Sequence, residues 1–172
     1  MRPLKRTEIR RFVEKTNQQF PVQKEIIFLL ANVERSPNVG SIFRLAEGMN
    51  AQVWLTGHTP TPPDPDIGKT SMGQEKRVVW QHIPQASLAI KKACDLGFTP
   101  IAIELCQEAV SYHVYKYPAK ICFVLGNENS GVHAEILSMC KAAVFIPYWG
   151  KNYSLNVAMC AAIISYHAQL QS

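Results

Sequence analysis

Three short polar segments of the sequence carry residue types that could act on a bound ligand. They lie at residues 38–44, 126–131 and 154–156, and each follows an apolar run of strand length. In α/β proteins with parallel strands, ligands bind beyond the carboxyl ends of the strands. We therefore expect the three segments to meet at one edge of a sheet and to form a single site.

The first segment holds an amide and a guanidinium. Asn38 comes just before a predicted helix at 39–48 and could cap it through the side-chain oxygen. Arg44, inside that helix, could pair with Glu47 on the helix surface. Its planar donor fork could instead bind a phosphate. The residues alone leave both roles of Arg44 open.

The second segment is a glycine-bounded loop that runs from Gly126 through Glu128 to Gly131. It lacks the lysine-serine or lysine-threonine pair of a nucleotide-binding P-loop, which disfavours a nucleotide triphosphatase. No G-x-G-x-x-G sequence follows a predicted strand, so a dinucleotide-binding fold has no motif support. The loop alone also has an ordinary explanation, because glycine is the residue of tight turns.

The third segment begins a helix predicted at 155–170. Ser154 is the predicted N-cap, and Asn156 lies in the first turn, where its amide needs a partner from the backbone or a ligand. Between residues 155 and 164 the helix is apolar nearly all round, which predicts burial on two sides. In a chain this small, a second subunit could cover one of them.

The elements that must position these segments follow an alternating pattern along the chain. Apolar runs alternate with helical patterns, which predicts an α/β fold whose mostly parallel sheet is flanked by helices. We expect strands at 25–31, 52–55, 78–81, 99–105, 121–125 and 143–146. We expect helices at 39–48, 87–95, 134–140 and 155–170. A stretch rich in proline and glycine at 58–76 is predicted to be a long exposed loop.

Composition limits the class of protein. The 172 residues suit a single domain, and 47% hydrophobic with 18% charged residues is typical of a globular chain with no membrane span. The N-terminus is too charged for a secretory signal, so we expect a cytoplasmic location. The five cysteines are odd in number, lie mostly in apolar runs and never form C-x-x-C, which predicts reduced, buried thiols and no metal site.

Positive charge is concentrated at the N-terminus. Residues 1–24 hold seven basic and two acidic groups, 7 − 2 = +5, and the remainder balances at 11 − 11 = 0. A predicted amphipathic helix at 6–15 presents Arg6, Arg10 and Arg11 on its outer face. Such a face is either simply solvated or a contact surface for nucleic acid. Lys69 and Lys76 give the 58–76 stretch the same two interpretations.

The three segments together carry a specific set of motifs. Asn38, Gly40 and Arg44 form N-x-G-x-x-x-R, the loop at 126–131 forms G-x-E-x-x-G, and residues 146–157 contain I-P-x-x-G followed by S-L-N-V. In order and spacing these motifs resemble those of the SpoU (TrmH-type) family of RNA ribose 2′-O-methyltransferases, in the SPOUT superfamily. The resemblance covers about residues 25–170.

The resemblance implies an activity and an architecture. The activity is transfer of a methyl group from S-adenosyl-L-methionine to a ribose 2′-hydroxyl of tRNA or rRNA, and the short chain favours tRNA. The architecture is a SPOUT-type homodimer with a C-terminal trefoil knot, which the general rarity of knots would otherwise exclude. The whole chain, 1–172, would be one methyltransferase domain with a basic helical extension at 1–24 and a catalytic part at 25–172.

The resemblance also implies a role for each site residue. Arg44 would activate the 2′-hydroxyl while it contacts the target phosphate; because a guanidinium is protonated at ordinary pH, it stays open whether Arg44 accepts the proton or only orients the phosphate. The residues implied to shape the catalytic site with it are Asn38, Glu128, Ser154 and Asn156. Those implied to bind the cofactor, largely through backbone groups, are Ile103, Glu104, Leu105, Gly126, Ile146, Ser154 and Leu155. Those implied to contact RNA are Arg6, Arg10, Arg11, Arg44, Lys69 and Lys76.

Two positions depart from the family pattern, and two alternatives stay open. Tyr148 stands where methionine is common, and Trp149 adds bulk beside it, which we expect to alter packing without abolishing cofactor binding. One alternative is an RNA-binding protein on the same scaffold that no longer catalyses. The other is a small-molecule-binding α/β protein of flavodoxin-like shape, which only the generic strand-loop-helix pattern supports.

Overall fold

Seven strands form one sheet in the computed structural model, which describes residues 1–151 and 153–171. They are β1 (Glu25–Ala31), β2 (Gln52–Thr56), β3 (Trp80–Ile83), β4 (Thr99–Ile103), β5 (Val110–Ser111), β6 (Lys120–Leu125) and β7 (Ala142–Phe145). Their order across the sheet is β3-β2-β1-β6-β4-β7-β5, and every pairing is parallel. The predicted α/β fold with a mostly parallel sheet is therefore confirmed.

The strand order contains two late insertions. The chain first builds β1, β2 and β3 outward toward one edge, and β6 later enters between β1 and β4. In the same way β7 enters between β4 and β5. The carboxyl ends of β1, β4, β6 and β7 consequently lie side by side. The trefoil knot stays a prediction of the family resemblance.

Helices cover both faces of the sheet. They are α1 (Arg6–Gln19), α2 (Ser36–Gly48), α3 (Pro65–Ser71), α4 (Ala86–Asp95), α5 (Ala134–Ser138) and α6 (Val157–Leu170), with a short 3₁₀ helix at Gln74–Lys76. Side chains of α2, α3 and α6 pack on one face, and those of α4 and α5 on the other. Alternate residues of β1 serve the two layers: Phe28 points to the first and Leu29 to the second. This explains why the strand is apolar throughout.

The expected long loop at 58–76 is wrong, because it contains α3. Asp64 caps this helix with a carboxylate that accepts hydrogen bonds from the backbone N–H groups of Asp66 (2.8 Å) and Ile67 (3.1 Å). Ile67 is fully buried against α2. The close approach requires Gly40, since a Cβ there would overlap the Thr70 hydroxyl and the Ile67 carbonyl. The motif glycine thus has a packing role.

Several element boundaries differ from the prediction. Strand β3 begins two residues later than expected, because Val78 packs into the core and the Val79 carbonyl accepts from Val53 N–H instead. Strand β4 ends at Ile103 and not at 105, since the Glu104 side chain turns back to the Leu105 N–H. The short β5 was not predicted. Helix α5 is two residues shorter than expected.

The prediction of buried cysteines is wrong for most of them. Cys122 is buried, Cys140 and Cys160 are half-buried, and Cys94 and Cys106 are exposed. All five are free thiols, as expected. Burial raises the pKa of the Cys122 thiol well above its usual range, which makes this group unreactive.

Helix α1 forms as predicted but does not bury any residue. Its first turn is held by Glu8, which accepts from the Lys5 N–H (2.7 Å) and pairs with Arg2 (2.7 Å). The hydrogen bond from Arg2 lowers the pKa of Glu8 to about 2. The apolar side chains of Ile9 and Phe12 are exposed. Within the described part of the chain, no helix is both long and apolar enough to cross a membrane.

Candidate active site

The three polar segments meet at the carboxyl edge of the sheet, where they surround a cavity of about 480 Å³. This volume lies within the roughly 300–1,000 Å³ of pockets that hold small molecules. The ends of β4 and β7 and the loop that follows β6 line it, together with the N-terminal ends of α2 and α6. The expectation that the segments form one site at one sheet edge matches this geometry.

A single carboxylate joins the first segment to the second. Glu128 accepts hydrogen bonds from the backbone N–H groups of Glu34 (3.0 Å) and Arg35 (3.1 Å) and from the Asn38 side-chain amide (2.7 Å). Burial acts to raise the pKa of Glu128, but these donors outweigh it, so that the pKa lies below its usual range. Glu128 therefore remains ionised at neutral pH and fixes the start of α2.

Asn38 passes this connection on to the third segment. Its Oδ1 accepts a hydrogen bond from Asn156 Nδ2 (2.7 Å), and Asn156 Oδ1 in turn accepts from the Ala158 N–H (2.9 Å). Because an ionised carboxylate can only accept, Glu128 dictates which way the Asn38 amide points, and Asn38 dictates the direction of Asn156. We call Glu128, Asn38 and Asn156 the polar bridge.

The polar bridge corrects two predicted helix caps. Asn38 does not cap α2, because it lies inside the helix, whose N-cap is Arg35, and the residue is buried, 7% exposed. Ser154 does not cap α6 either, since the N-cap is Asn156. Among the described residues, the Ser154 hydroxyl makes no hydrogen bond, although Ser154 lines the cavity. It is therefore available to a ligand.

Glycine allows the second segment to close tightly. The backbone of Asn127 pairs with that of Gly131, and Asn127 Oδ1 accepts from the N–H groups of Asn129 (2.9 Å) and Ser130 (3.2 Å). A Cβ on Gly126 would overlap the backbone of Gly131. Gly131 itself has φ +66° and lies against the Glu104 carboxylate, so both motif glycines are required by the loop.

The Glu104 carboxylate ties the end of β4 to this loop. It accepts hydrogen bonds from the backbone N–H groups of Leu105 (2.8 Å) and Val132 (2.8 Å). The side chain of Glu104 thus links the end of β4 to the loop at 126–131, both of which line the cavity.

Similarity to known proteins agrees with this geometry. The family model described as "SpoU rRNA Methylase family" matches residues 25–166. The chain belongs to this family. The tRNA (guanosine(18)-2′-O)-methyltransferase of Thermus thermophilus is 31% identical over 151 residues, which are 87% of this chain and 76% of the relative.

Two solved structures extend the similarity to the fold of the SpoU family. The AdoMet-bound rRNA methyltransferase from Sinorhizobium meliloti has a TM-score of 0.80 at 25% identity, over 88% of this chain and 59% of that one. The A. aeolicus TrmH/SpoU tRNA modifying enzyme has a TM-score of 0.76 at 25% identity, over 92% and 83%. The chain thus spans less than two thirds of the Sinorhizobium protein.

Most residues that the SpoU motifs single out are brought together by the fold. Every residue predicted to bind the cofactor lines the cavity: Ile103, Glu104, Leu105, Gly126, Ile146, Ser154 and Leu155. Four of the five residues predicted to be catalytic also line it: Asn38, Glu128, Ser154 and Asn156. Their roles stay predictions.

The fifth predicted catalytic residue, Arg44, does not line the cavity of its own chain. Arg44 is exposed on α2, one helical turn after Gly40 and one turn before Gly48. Gly40 packs against α3, and Gly48 lies near the Tyr166 hydroxyl of α6. The ion pair with Glu47, one of the two roles left open for Arg44, does not form among the described residues. Glu47 lies instead 3.9 Å from the Arg77 guanidinium. The Arg44 guanidinium is thus exposed to solvent on the outer face of α2.

The cations predicted to contact RNA are all at the surface. Lys69 pairs with Asp66 (2.8 Å) and Arg10 with Glu14 (3.1 Å), both in exposed ion pairs that contribute little to stability. Each of the six predicted RNA contacts is exposed: Arg6, Arg10, Arg11, Arg44, Lys69 and Lys76. Their accessibility permits contact with RNA, which stays a prediction.

The sequence reasoning missed several residues that line the cavity. Arg35 lies at its rim, and Asn127, Asn129 and Tyr153 complete its walls. Arg35 could have been found from its position directly before a helix that starts at a ligand-binding edge. No sequence signal pointed to Asn127, since its role depends on the return of the loop at Gly131.

Proposed function

We propose that this chain transfers the methyl group of S-adenosyl-L-methionine to a ribose 2′-hydroxyl of RNA, with tRNA as the favoured substrate. The observation that carries the proposal is the polar bridge, because it unites the three SpoU motifs around one cavity. The tRNA methyltransferase name of the Thermus relative supports the reaction and favours tRNA. The AdoMet-bound Sinorhizobium structure supports the cofactor.

The cavity fits such a cofactor. Apolar side chains of Ile103, Leu105, Ile146 and Leu155 offer a surface for an adenine ring, beside backbone polar groups at the strand ends. Residue 126 is a glycine, so no side chain enters the cavity there, and a Cβ at this position would overlap the backbone of Gly131. When bound, the cofactor supplies an electrophilic methyl group to a nucleophile that approaches from the open side.

The chain's own residues would position that nucleophile. The polar bridge holds the start of α2 and the start of α6 at a fixed spacing. The Ser154 hydroxyl, free of protein partners among the described residues, would hydrogen-bond the ribose. A guanidinium is a fivefold donor without a lone pair for a proton, so we assign Arg44 to the phosphate next to the target ribose.

We further propose that the active unit is a homodimer. Exposed apolar side chains form one face of α6 at spacings of four, three and four residues, at Met159, Ile163, Tyr166 and Leu170, and Leu155 is exposed just before the helix. The opposite face of α6 is buried on the sheet and α2. A second copy that covers this stripe would lie next to Tyr166 and Gly48, so Arg44 would complete the partner's cavity, since it does not line its own.

We also propose that residues 1–172 act as a single methyltransferase domain. The α1 extension would contact RNA through Arg6, Arg10 and Arg11, with Lys69 and Lys76 forming a second contact surface.

The central experiment measures the product. Purified protein with S-adenosyl-L-methionine and unmethylated tRNA is expected to yield 2′-O-methylribose, detected by mass spectrometry of digested nucleosides. Arg44→Ala is expected to abolish the product and keep cofactor binding, whereas Lys91→Ala, which removes an exposed charge from α4, should behave like the wild type. Binding of RNA without any product would favour the alternative of a non-catalytic RNA-binding protein.

A mixing experiment tests whether Arg44 acts across subunits. Arg44→Ala keeps an intact cavity and Glu128→Ala keeps an intact arginine, so each protein alone is expected to be inactive. Refolding or co-expressing the two should restore roughly a quarter of the activity, because half of the dimers are mixed and each has one complete site. If the mixture stays inactive while mixed dimers form, Arg44 serves its own chain.

A further inference from the structure

Two aromatic side chains beside the cavity are largely exposed. Trp149 is 94% exposed and Tyr153 is 79% exposed, both on the loop between β7 and α6. Among the described residues, none of the aromatic pairs or cation-π contacts includes either ring. Burial of such rings removes a large apolar area from water, so their full exposure is unfavourable unless a ligand covers them.

The location of the two rings connects them to the site. Tyr153 lines the cavity directly before Ser154, and Trp149 lies on the same loop, three residues after Ile146. A ligand in the cavity would therefore lie next to Tyr153. Tyr148, which stands where methionine is common in the family, directly precedes Trp149.

The charge around the loop favours a polyanion. No acidic residue follows Glu135 in the sequence, whereas Lys151 lies exposed between the two rings along the chain. Arg35 adds a second exposed cation at the rim of the cavity. The carboxylates that line the cavity, Glu104 and Glu128, already accept hydrogen bonds from backbone and amide donors. Exposed aromatic rings interspersed with cations are the surface on which proteins stack the unpaired bases of single-stranded nucleic acid.

We propose that Trp149 and Tyr153 form an aromatic platform that stacks on a base of the RNA substrate, at or next to the target nucleotide. The inference rests on the RNA substrate of the proposed function. The platform positions the ribose by holding its base, and it does not take part in the transfer. It also offers a means of selecting unpaired nucleotides, because a base must leave its helix to stack there.

Intrinsic fluorescence gives a direct test, because the three tryptophans differ in exposure. Trp54 is 1% exposed and Trp80 is half-buried against Phe43, so neutral acrylamide quenches mainly Trp149. Unmethylated tRNA, added without cofactor, is expected to protect Trp149 from acrylamide. The signal of Trp149→Phe serves as the baseline that assigns the change to this ring.

Activity measurements separate stacking from a structural effect. Trp149→Leu should raise the KM for tRNA about tenfold, the order expected for loss of one stacked base, and leave the KM for S-adenosyl-L-methionine unchanged. Trp149→Phe should restore most of the loss, since it keeps a stacking face. Leu96→Ala removes another exposed apolar side chain, 53% exposed, at the opposite edge of the sheet, and should match the wild type.

Three outcomes overturn the platform, and a fourth overturns the proposed function alone. Protection by S-adenosyl-L-methionine alone would assign the rings to the cofactor, and protection that grows with protein concentration without RNA would assign them to a second copy. If the wild type methylates RNA while Trp149 stays accessible, the platform is wrong and the proposed function stands. If tRNA protects Trp149 but no methylribose forms, the proposed function fails and the platform stands.

Discussion

The first and last helices, α1 and α6, have the same length but differ in how much of each is buried. Each has 14 residues and an exposed apolar stripe. Helix α1 buries none of its residues, whereas α6 buries Ala161, Ile164, Ser165 and Ala168. The helix with the clear division into apolar and charged faces is the one that stays outside the core. Amphipathic character therefore shows which face a helix would bury, but not whether the chain provides a surface to receive it.

The charges of the two helices explain the difference in part. Helix α6 has no lysine, arginine, aspartate or glutamate, so it can enter the core without desolvating a charge. Helix α1 carries Arg6, Arg10, Arg11 and Lys15, which stay hydrated on the surface. The sheet face that could receive an apolar stripe is already covered by α2, α3 and α6.

The largest expected contrast between the helices is in stability. Ile164→Ala in α6 should lower the free energy of unfolding by about 2–5 kcal/mol, because it leaves a cavity at a fully buried position. Ile9→Ala in α1 should change it by less than about 0.5 kcal/mol, because Ile9 is exposed. Urea unfolding followed by circular dichroism measures both. Equal losses would show that α1 packs on the fold in solution.

A second contrast concerns RNA affinity. Removal of residues 1–19 should leave thermal stability unchanged but weaken tRNA binding roughly tenfold. It should also flatten the salt dependence of binding, because a complex with fewer phosphate contacts releases fewer counterions when it forms. Fluorescence anisotropy at several salt concentrations measures the slope. The variant Phe12→Ala, which keeps every charge of α1, is the control. An unchanged slope after truncation would reject the contact.

The smallest contrast is in pH dependence. The pKa of Glu128 lies below its usual range, so the ionised group stabilises the fold above the unfolded-state pKa, and this contribution is lost as the pH falls through the folded pKa. Glu8, with a pKa of about 2, stabilises only the first turn of α1. Between about pH 5 and 3, the melting temperature of Glu128→Gln should fall less than that of the wild type. Glu8→Gln should parallel the wild type, and a flattened curve for this variant would couple α1 to the core.

The strands were predictable because their sequence pattern is local. The run at 25–31 matches β1 residue for residue, and β2 and β6 differ from prediction by one residue each, since apolar runs covered on both faces carry the signal. Helix α3 was missed although Asp64 and Pro65 form an ordinary helix start, because the surrounding prolines and glycines suggested a loop. The signal was present, and its context obscured it.

The site was predictable as a set of residues but not as a geometry. Motif spacing indicated which residues belong together, yet the bond between Asn38 and Glu128 joins residues 90 positions apart. Helix capping, the local role expected for Asn38, was overridden by this long-range partner. The placement of Arg44 outside its own cavity likewise depends on the direction of α2, which no pattern in the sequence specifies.

The polar bridge has an evolutionary consequence. Once Glu128 is replaced by a side chain that cannot accept, the Asn38 amide loses its fixed direction, and a later change at Asn156 removes an interaction that is already weakened. The first substitution is thus the most destabilising to the site, and each following one removes a weaker interaction. A lineage under selection should keep all three residues together, whereas one released from selection should lose them in quick succession.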